Sequence, residues 1–122
     1  MNTINYDVVI VGASFSGLTL VHHLPATMNV LMIDAKPEAG SKVESTGLIT
    51  TKTYEAFKQF FPIDSYITNP ISSICVVAPS FEDFFVSSTT RPWIYQTDTR
   101  GLVKALASKL GSNVSLSTKT VF

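Results

Sequence analysis

The sequence has 122 residues, room for one domain and too few for two, and hydrophobic residues make up 45% of it, which supports a packed core and argues against disorder. Nine basic residues balance nine acidic ones, so the chain lacks the electrostatic footprint of a nucleic-acid binder and the basic face that would hold it on anionic lipid. A single cysteine, Cys75, excludes an internal disulfide and a multi-cysteine metal site, and a lone thiol fits a reducing, cytoplasmic compartment. No basic segment leads into an apolar stretch at the start, as a signal peptide would require, and no apolar run approaches the length of a membrane span.

Tyr6 to Val11 reads YDVVIV, a short β-branched run suited to a parallel strand covered on both faces. Gly12 follows at once, then Ala13, Ser14, Phe15, Ser16 and Gly17; Leu18, Leu20, Val21 and Leu24 set a helical pattern that Pro25 ends. Val30 to Ile33 is a second strand, closed by Asp34. Strand, glycine turn, helix, strand is a βαβ unit, whose two strands run parallel.

Residues 35–47 read as a loop, and the Gly/Ser/Lys-rich part at 40–47 as a cofactor-facing one. A helix is expected from about Thr51, with Tyr54, Phe57 and Phe61 on one face and Pro62 as its stop. Ile74–Ala78 and Phe84–Ser88 form an antiparallel pair around Pro79-Ser80, and Trp93–Gln96 is a further extended stretch. These elements make residues 62–97 a β-rich insertion. Asp98 or Thr99 caps a helix carrying Leu102, Val103, Leu106 and Leu110, with Gly111 as its C′ residue, and Val114–Thr118 is the next strand. The fold class is therefore α/β: a Rossmann-like βαβ domain with a parallel sheet and a small antiparallel insertion, ending at Phe122 as an incomplete domain.

A GxGxxG turn needs glycine first for a tight bend, a small residue second so that backbone approaches a diphosphate, and glycine third so that the helix packs against the strand. Those positions hold Gly12, Ser14 and Gly17. The serine hydroxyl adds a donor to a phosphate oxygen while its Cβ narrows the approach. Asp34 lies 22 residues beyond Gly12, at the end of the next strand, where a carboxylate accepts bonds from the 2′- and 3′-hydroxyls of an adenosine ribose and repels the 2′-phosphate of NADP. The plainer alternative is that the glycines only shape a βα turn and that Asp34 is a solvated strand end.

The phrases YDVVIVGASFSGLTLVHHL and NVLMIDAKPEAGSK resemble the opening of FAD-dependent oxidoreductases of the glutathione-reductase-like superfamily. KVESTGLITTKTYEAF and TDTRGLVKALASKLGSNVSL are similar to the amino-terminal portion of its geranylgeranyl reductase-like group. The resemblance implies FAD as cofactor, its diphosphate on residues 12–17 and its adenosine ribose at Asp34, near Ala35 and Lys36. It also implies that Ser45, Thr46, Gly47 and Leu48 run close to the flavin and that Arg100 belongs to the FAD site. Some members carry Cys-Gly in that loop where this chain has Thr46-Gly47, so any role of that cysteine is absent. The downstream Gly-Asp segment of the family lies beyond the sequence given.

His22 and His23 are adjacent on a helix and diverge by about 100°, so they do not share a metal. Cys75 reads as a small core residue, Phe57, Phe60 and Phe61 as packing, and Trp93 and Tyr95 as core or interface packing ahead of a pocket role. No residue stands out as a general acid or base, so the catalytic residues are unknown. Three functions compete. An FAD-dependent oxidoreductase would take a small-molecule or lipid-like substrate and NAD(P)H or another electron donor. An NAD-dependent dehydrogenase shares the glycine turn and acid, but usually proceeds from its second strand to helix and strand without a long β insertion. A truncated, non-catalytic nucleotide-binding remnant would be marginally stable and bind FAD poorly, a point that the flavin absorbance of the purified chain decides.

Overall fold

The computed structural model describes residues 3–121. The chain divides into two compact units, Met1–Glu44 with Thr99–Phe122, and Ser45–Asp98.

The first unit is built on a parallel sheet of β1 (Val8–Val11), β2 (Val30–Ile33) and β8 (Val114–Ser117), with β2 in the centre. Val8 pairs with Val30 and Val11 with Ile33, and on the other side Val30 pairs with Val114 and Ile33 with Ser117. The crossover from β1 to β2 is α1 (Phe15–His23), and α3 (Thr99–Ser108) leads into β8. The expected βαβ unit is therefore present, and the third parallel strand is the one after residue 113.

The two helices pack on each other, the His22 imidazole Nε2 lying 3.0 Å from the Leu106 carbonyl oxygen. Their apolar faces supply the core: Leu18 and Val21 from α1, Leu102, Val103 and Leu106 from α3, closed over Ile10, Val30 and Met32 of the sheet. The spacing of Leu102, Val103 and Leu106 is that of one helical face.

Strand β1 departs from its expected setting. Ile10 is buried, but Val9 and Val11 on the opposite side of the pleat are 51% and 63% exposed. A wholly apolar strand implies cover on both faces; here the helices cover one. Gly111 also departs from expectation. Helix α3 ends at Ser108, so Gly111 lies in the turn into β8, its carbonyl accepting from the Val114 amide at 3.0 Å.

The second unit is mostly antiparallel. Strands β3 (Leu48–Thr50), β7 (Ile94–Thr97) and β4 (Ile67–Ile71) form one sheet in the order β3-β7-β4, and β5 (Ser73–Val77) with β6 (Phe84–Ser88) forms a separate hairpin. The expected pairing of 74–78 with 84–88 is present, with Cys75 opposite Val86 and Val77 opposite Phe84. Helix α2 (Thr51–Lys58) starts at the expected place, where the Thr50 hydroxyl accepts the Thr53 amide at 3.3 Å. It stops earlier than Pro62, and a 3₁₀ turn at Ile63–Tyr66 follows that proline. Ile63 and Phe61 are the buried apolar side chains of this unit.

Cys75 is exposed rather than in a core. The reason is the hairpin itself. With two strands and no covering element among the described residues, its apolar residues remain open on both faces: Val77, Phe84 and Val86 on one, Val76 and Phe85 on the other. An apolar run tells that a strand forms, not what lies over it.

Burial sorts the consequences of substitution. Leu106→Ala, at a fully buried site, is expected to lower stability by about 2–5 kcal/mol. Val86→Thr, on the open hairpin, is expected to change it by less than about 0.5 kcal/mol. Urea denaturation followed by circular dichroism checks both.

Candidate nucleotide-binding turn

Strand β1 delivers the chain to Gly12 beside the end of β2, where the Gly12 amide donates to the Ile33 carbonyl at 2.8 Å. Gly12 has φ +106°, a region that side chains with a Cβ rarely adopt. A Cβ there would meet no atom within 4 Å, so backbone angle rather than crowding selects glycine.

Gly17 is selected by crowding. A Cβ at this position would lie 2.1 Å from the Gly12 carbonyl oxygen, 3.1 Å from Ile10 Cγ2 and 3.2 Å from Met32 Cε. The first turn of α1 is thus pressed against the turn that precedes it and against both strands beneath. Ser14 is the N-cap residue, and its carbonyl accepts the Leu18 amide at 2.9 Å while its hydroxyl makes no capping bond. The amides of Phe15, Ser16 and Gly17 come before that bond and so have no carbonyl within their own helix to bond. No acidic side chain sits in the first turn. The positive end of the helix dipole and a set of amides without helical partners share one place, which favours an anion by roughly 0.3–1 kcal/mol per well-placed charge.

Asp34 is buried, 8% exposed, and both its oxygens are bonded. Oδ2 accepts the Ala13 amide at 2.6 Å and Oδ1 accepts the Lys36 amide at 2.8 Å. Its backbone is held as firmly, the amide donating to the Ser117 carbonyl at 2.9 Å and the carbonyl accepting the Thr120 amide at 2.9 Å. The reading of Asp34 as a solvated strand end does not hold. Ala35 is exposed and Lys36 half-buried, and the Lys36 carbonyl accepts the Lys119 amide at 2.9 Å.

The structure thus joins Gly12, Ala13 and Gly17 of the turn with Asp34 and Lys36 in one bonded or touching set. Arg100, at the start of α3, is in the same unit and pairs with Glu38 at 3.5 Å, its side chain 66% exposed. Glu38 also meets Lys104 at 3.0 Å. The Lys104 ammonium, first by its hydrogen bond and then by its charge, holds the Glu38 carboxyl below the usual glutamate range, and Arg100 adds to this. Sequence reasoning missed Glu38. Arg100 and Lys104 stand four apart on one helix, but nothing in the spacing identifies the loop acid that meets them.

Ser45–Leu48 belongs to the second unit. Gly47 is buried with φ +70°, and its carbonyl accepts both the amide and the hydroxyl of Thr97, at 2.9 and 3.0 Å. The Ser45 hydroxyl accepts the Gly47 amide at 3.1 Å, so the loop is braced by its own side chains. In this unit Tyr54 stacks on Tyr95, ring centroids 4.2 Å apart, and both rings are half-buried. The Tyr54 hydroxyl donates to Asp64, and this bond raises the phenol pKa and lowers that of the carboxyl. Among the described residues no group of three or more His, Cys, Asp and Glu side chains is arranged to hold a metal, and no helix is long and apolar enough to cross a membrane.

Two outcomes follow from this geometry. Gly17→Ala is expected to cost about 1–3 kcal/mol in urea denaturation, because backbone must move to admit the Cβ; a neutral result contradicts the close approach. For Glu38 the folded pKa is depressed, so its contacts stabilise above the ordinary glutamate range and are lost as pH falls through the folded value. In an NMR titration Lys104→Ala is expected to move the Glu38 midpoint up toward that ordinary range.

No family model matches the sequence, and no curated protein matches it. Solved structures do. A geranylgeranyl bacteriochlorophyll reductase-like protein from Thermoplasma acidophilum matches over 93% of this chain with TM-score 0.73 and 23% identity. A mutant of PqsL from P. aeruginosa matches over 93% with TM-score 0.70 and 15% identity. The p-nitrophenol 4-monooxygenase PnpA from Pseudomonas putida DLL-E4 matches over 98% with TM-score 0.70 and 18% identity. The chain spans only 30% of the first of these and 33% of the other two. A geranylgeranyl reductase-like protein is thus among the structural neighbours, as the sequence phrases led us to expect, and the chain carries part of their α/β, Rossmann-like fold.

Proposed function

We propose that this chain supplies the FAD-binding turn of a flavin-dependent oxidoreductase. The observation that carries the reading is the close approach of Gly17 to Gly12, where a Cβ would lie 2.1 Å from the Gly12 carbonyl oxygen, which seats the first turn of α1 directly on the glycine turn. The fit to a diphosphate is physical: donors without helical partners, the positive helix end, and no acid in the first turn. Ser14, Phe15, Ser16 and Gly17 would hold the diphosphate and Asp34 the adenosine ribose, with Ala35 and Lys36 next to it. Ser45–Leu48 and Arg100 are assigned to the cofactor by resemblance to the family.

FAD rather than NAD is favoured by the 54 residues of the second unit, Ser45–Asp98, inserted between β2 and α3. A simple NAD-binding domain passes from its second strand to the next helix and strand without such an insertion. The reductase and monooxygenase named among the structural neighbours point to redox chemistry in the same direction. When bound, FAD supplies the hydride or electron transfer; the protein binds it, orients it and keeps a 2′-phosphate away from Asp34. The substrate class is small-molecule or lipid-like, the electron donor NAD(P)H or an equivalent, and no side chain is assigned to catalysis.

Titration with FAD, monitored by flavin fluorescence, tests the proposal. Weak binding that ADP displaces and riboflavin does not is the expected result, since the turn and Asp34 address the ADP half of the cofactor. Displacement by riboflavin alone would place the contacts elsewhere. Asp34→Ala is expected to weaken FAD binding by about 1.5–3 kcal/mol for each ribose bond lost.

A further inference from the structure

The Asp34 carboxylate does more in this fold than a ribose hook requires. It is buried, and it accepts two backbone amides of the protein itself, one from the glycine turn and one from the segment after β2. The Ala13 amide is therefore taken by a side chain of the protein, whereas those of Phe15, Ser16 and Gly17 have no carbonyl within their own helix to bond. We propose that Asp34 is a positioning residue for the diphosphate: by binding the Ala13 amide it holds the turn between Gly12 and Ser14 in the shape that presents the amides of residues 14–17. The inference rests on the FAD reading and adds a role that a ribose contact does not explain.

Three features of the structure support it. The bond closes a loop of contacts. Gly12 is tied to the last residue of β2 through the Ile33 carbonyl, and Ala13 to the next residue through its side chain. The turn has no other brace from its own side chains, because the Ser14 hydroxyl makes no capping bond. Gly12, at φ +106°, has the backbone freedom of glycine, so a fixed shape must be imposed from outside the residue. An acceptor with two oxygens, fixed at the end of the central strand of the sheet, supplies that restraint.

The two roles give opposite signs for a ligand with phosphate but no ribose. If Asp34 acts only on ribose, Asp34→Ala leaves affinity for inorganic pyrophosphate unchanged or raises it, since a negative charge near an anion is removed. If Asp34 shapes the turn, the same substitution weakens pyrophosphate binding. Asp34→Asn keeps one acceptor oxygen and is expected to fall between.

The experiment is an NMR titration of the 122-residue chain and both variants with inorganic pyrophosphate, following the amides of Ser16 and Gly17, with hydrogen exchange of the Ala13 amide recorded without ligand. The expected result is a loss of roughly tenfold in pyrophosphate affinity for Asp34→Ala, the scale of one charge-assisted hydrogen bond, together with faster Ala13 exchange. Exchange at Leu106, in the core of the same unit, reports whether the variant is still folded. If Asp34→Ala unfolds, Asp34→Asn decides the matter by the same two readings. Unchanged or tighter pyrophosphate binding in a folded variant overturns the positioning role and leaves the FAD reading standing. Absence of any response to pyrophosphate in the unsubstituted chain overturns both.

Discussion

A side chain at position 17 would have to occupy the space of the Gly12 carbonyl oxygen. That constraint organises the first unit. It brings the start of α1 down onto the turn, over Ile10 and Met32, and so fixes where the helix begins relative to the two strands it connects. The hydrogen bonds of Gly12 to Ile33 and of Ala13 to Asp34 then tie the turn to the end of the central strand. Parallel pairing of β1 with β2 makes this possible, because it places both strand ends on the same edge of the sheet.

Outside this region the structure is unevenly covered. One face of the parallel sheet is closed by α1 and α3, while Val9 and Val11 look outward from β1. In the second unit the β5–β6 hairpin carries Phe84 and Phe85 at 71% and 66% exposure and has no charge in either strand. Exposed apolar surface of this kind, with open strand edges, favours association. The neighbours with the same fold are about three times as long as the part of them that this chain matches.

Much of the first unit was legible in the sequence because its signals are local. A β-branched run, a glycine turn, a helical stripe ended by Pro25 and a second apolar run closed by Asp34 specify a βαβ unit whatever surrounds them. The stripe of Leu102, Val103 and Leu106 marked α3 in the same way, and the apolar run from Val114 marked β8. What escaped was set by distant partners. Strand β3 has three residues, and β4 contains Asn69 and Pro70; they are strands only because each pairs with β7. Pro70 is tolerated there because β4 is the edge of its sheet. Covering elements are not written in a strand's own residues, so the exposure of Cys75, Val9 and Val11 was misread. The glycines and the acid stand out by their spacing, but the use of both Asp34 oxygens by backbone amides depends on the turn's three-dimensional path.

The proposed function requires an anionic diphosphate over the amino end of α1. A crystal structure of the chain with ADP tests this most directly. The prediction is a diphosphate within hydrogen-bonding distance of the amides of residues 14–17, with the ribose at Asp34. Diphosphate bound elsewhere, with those amides facing solvent alone, would contradict it.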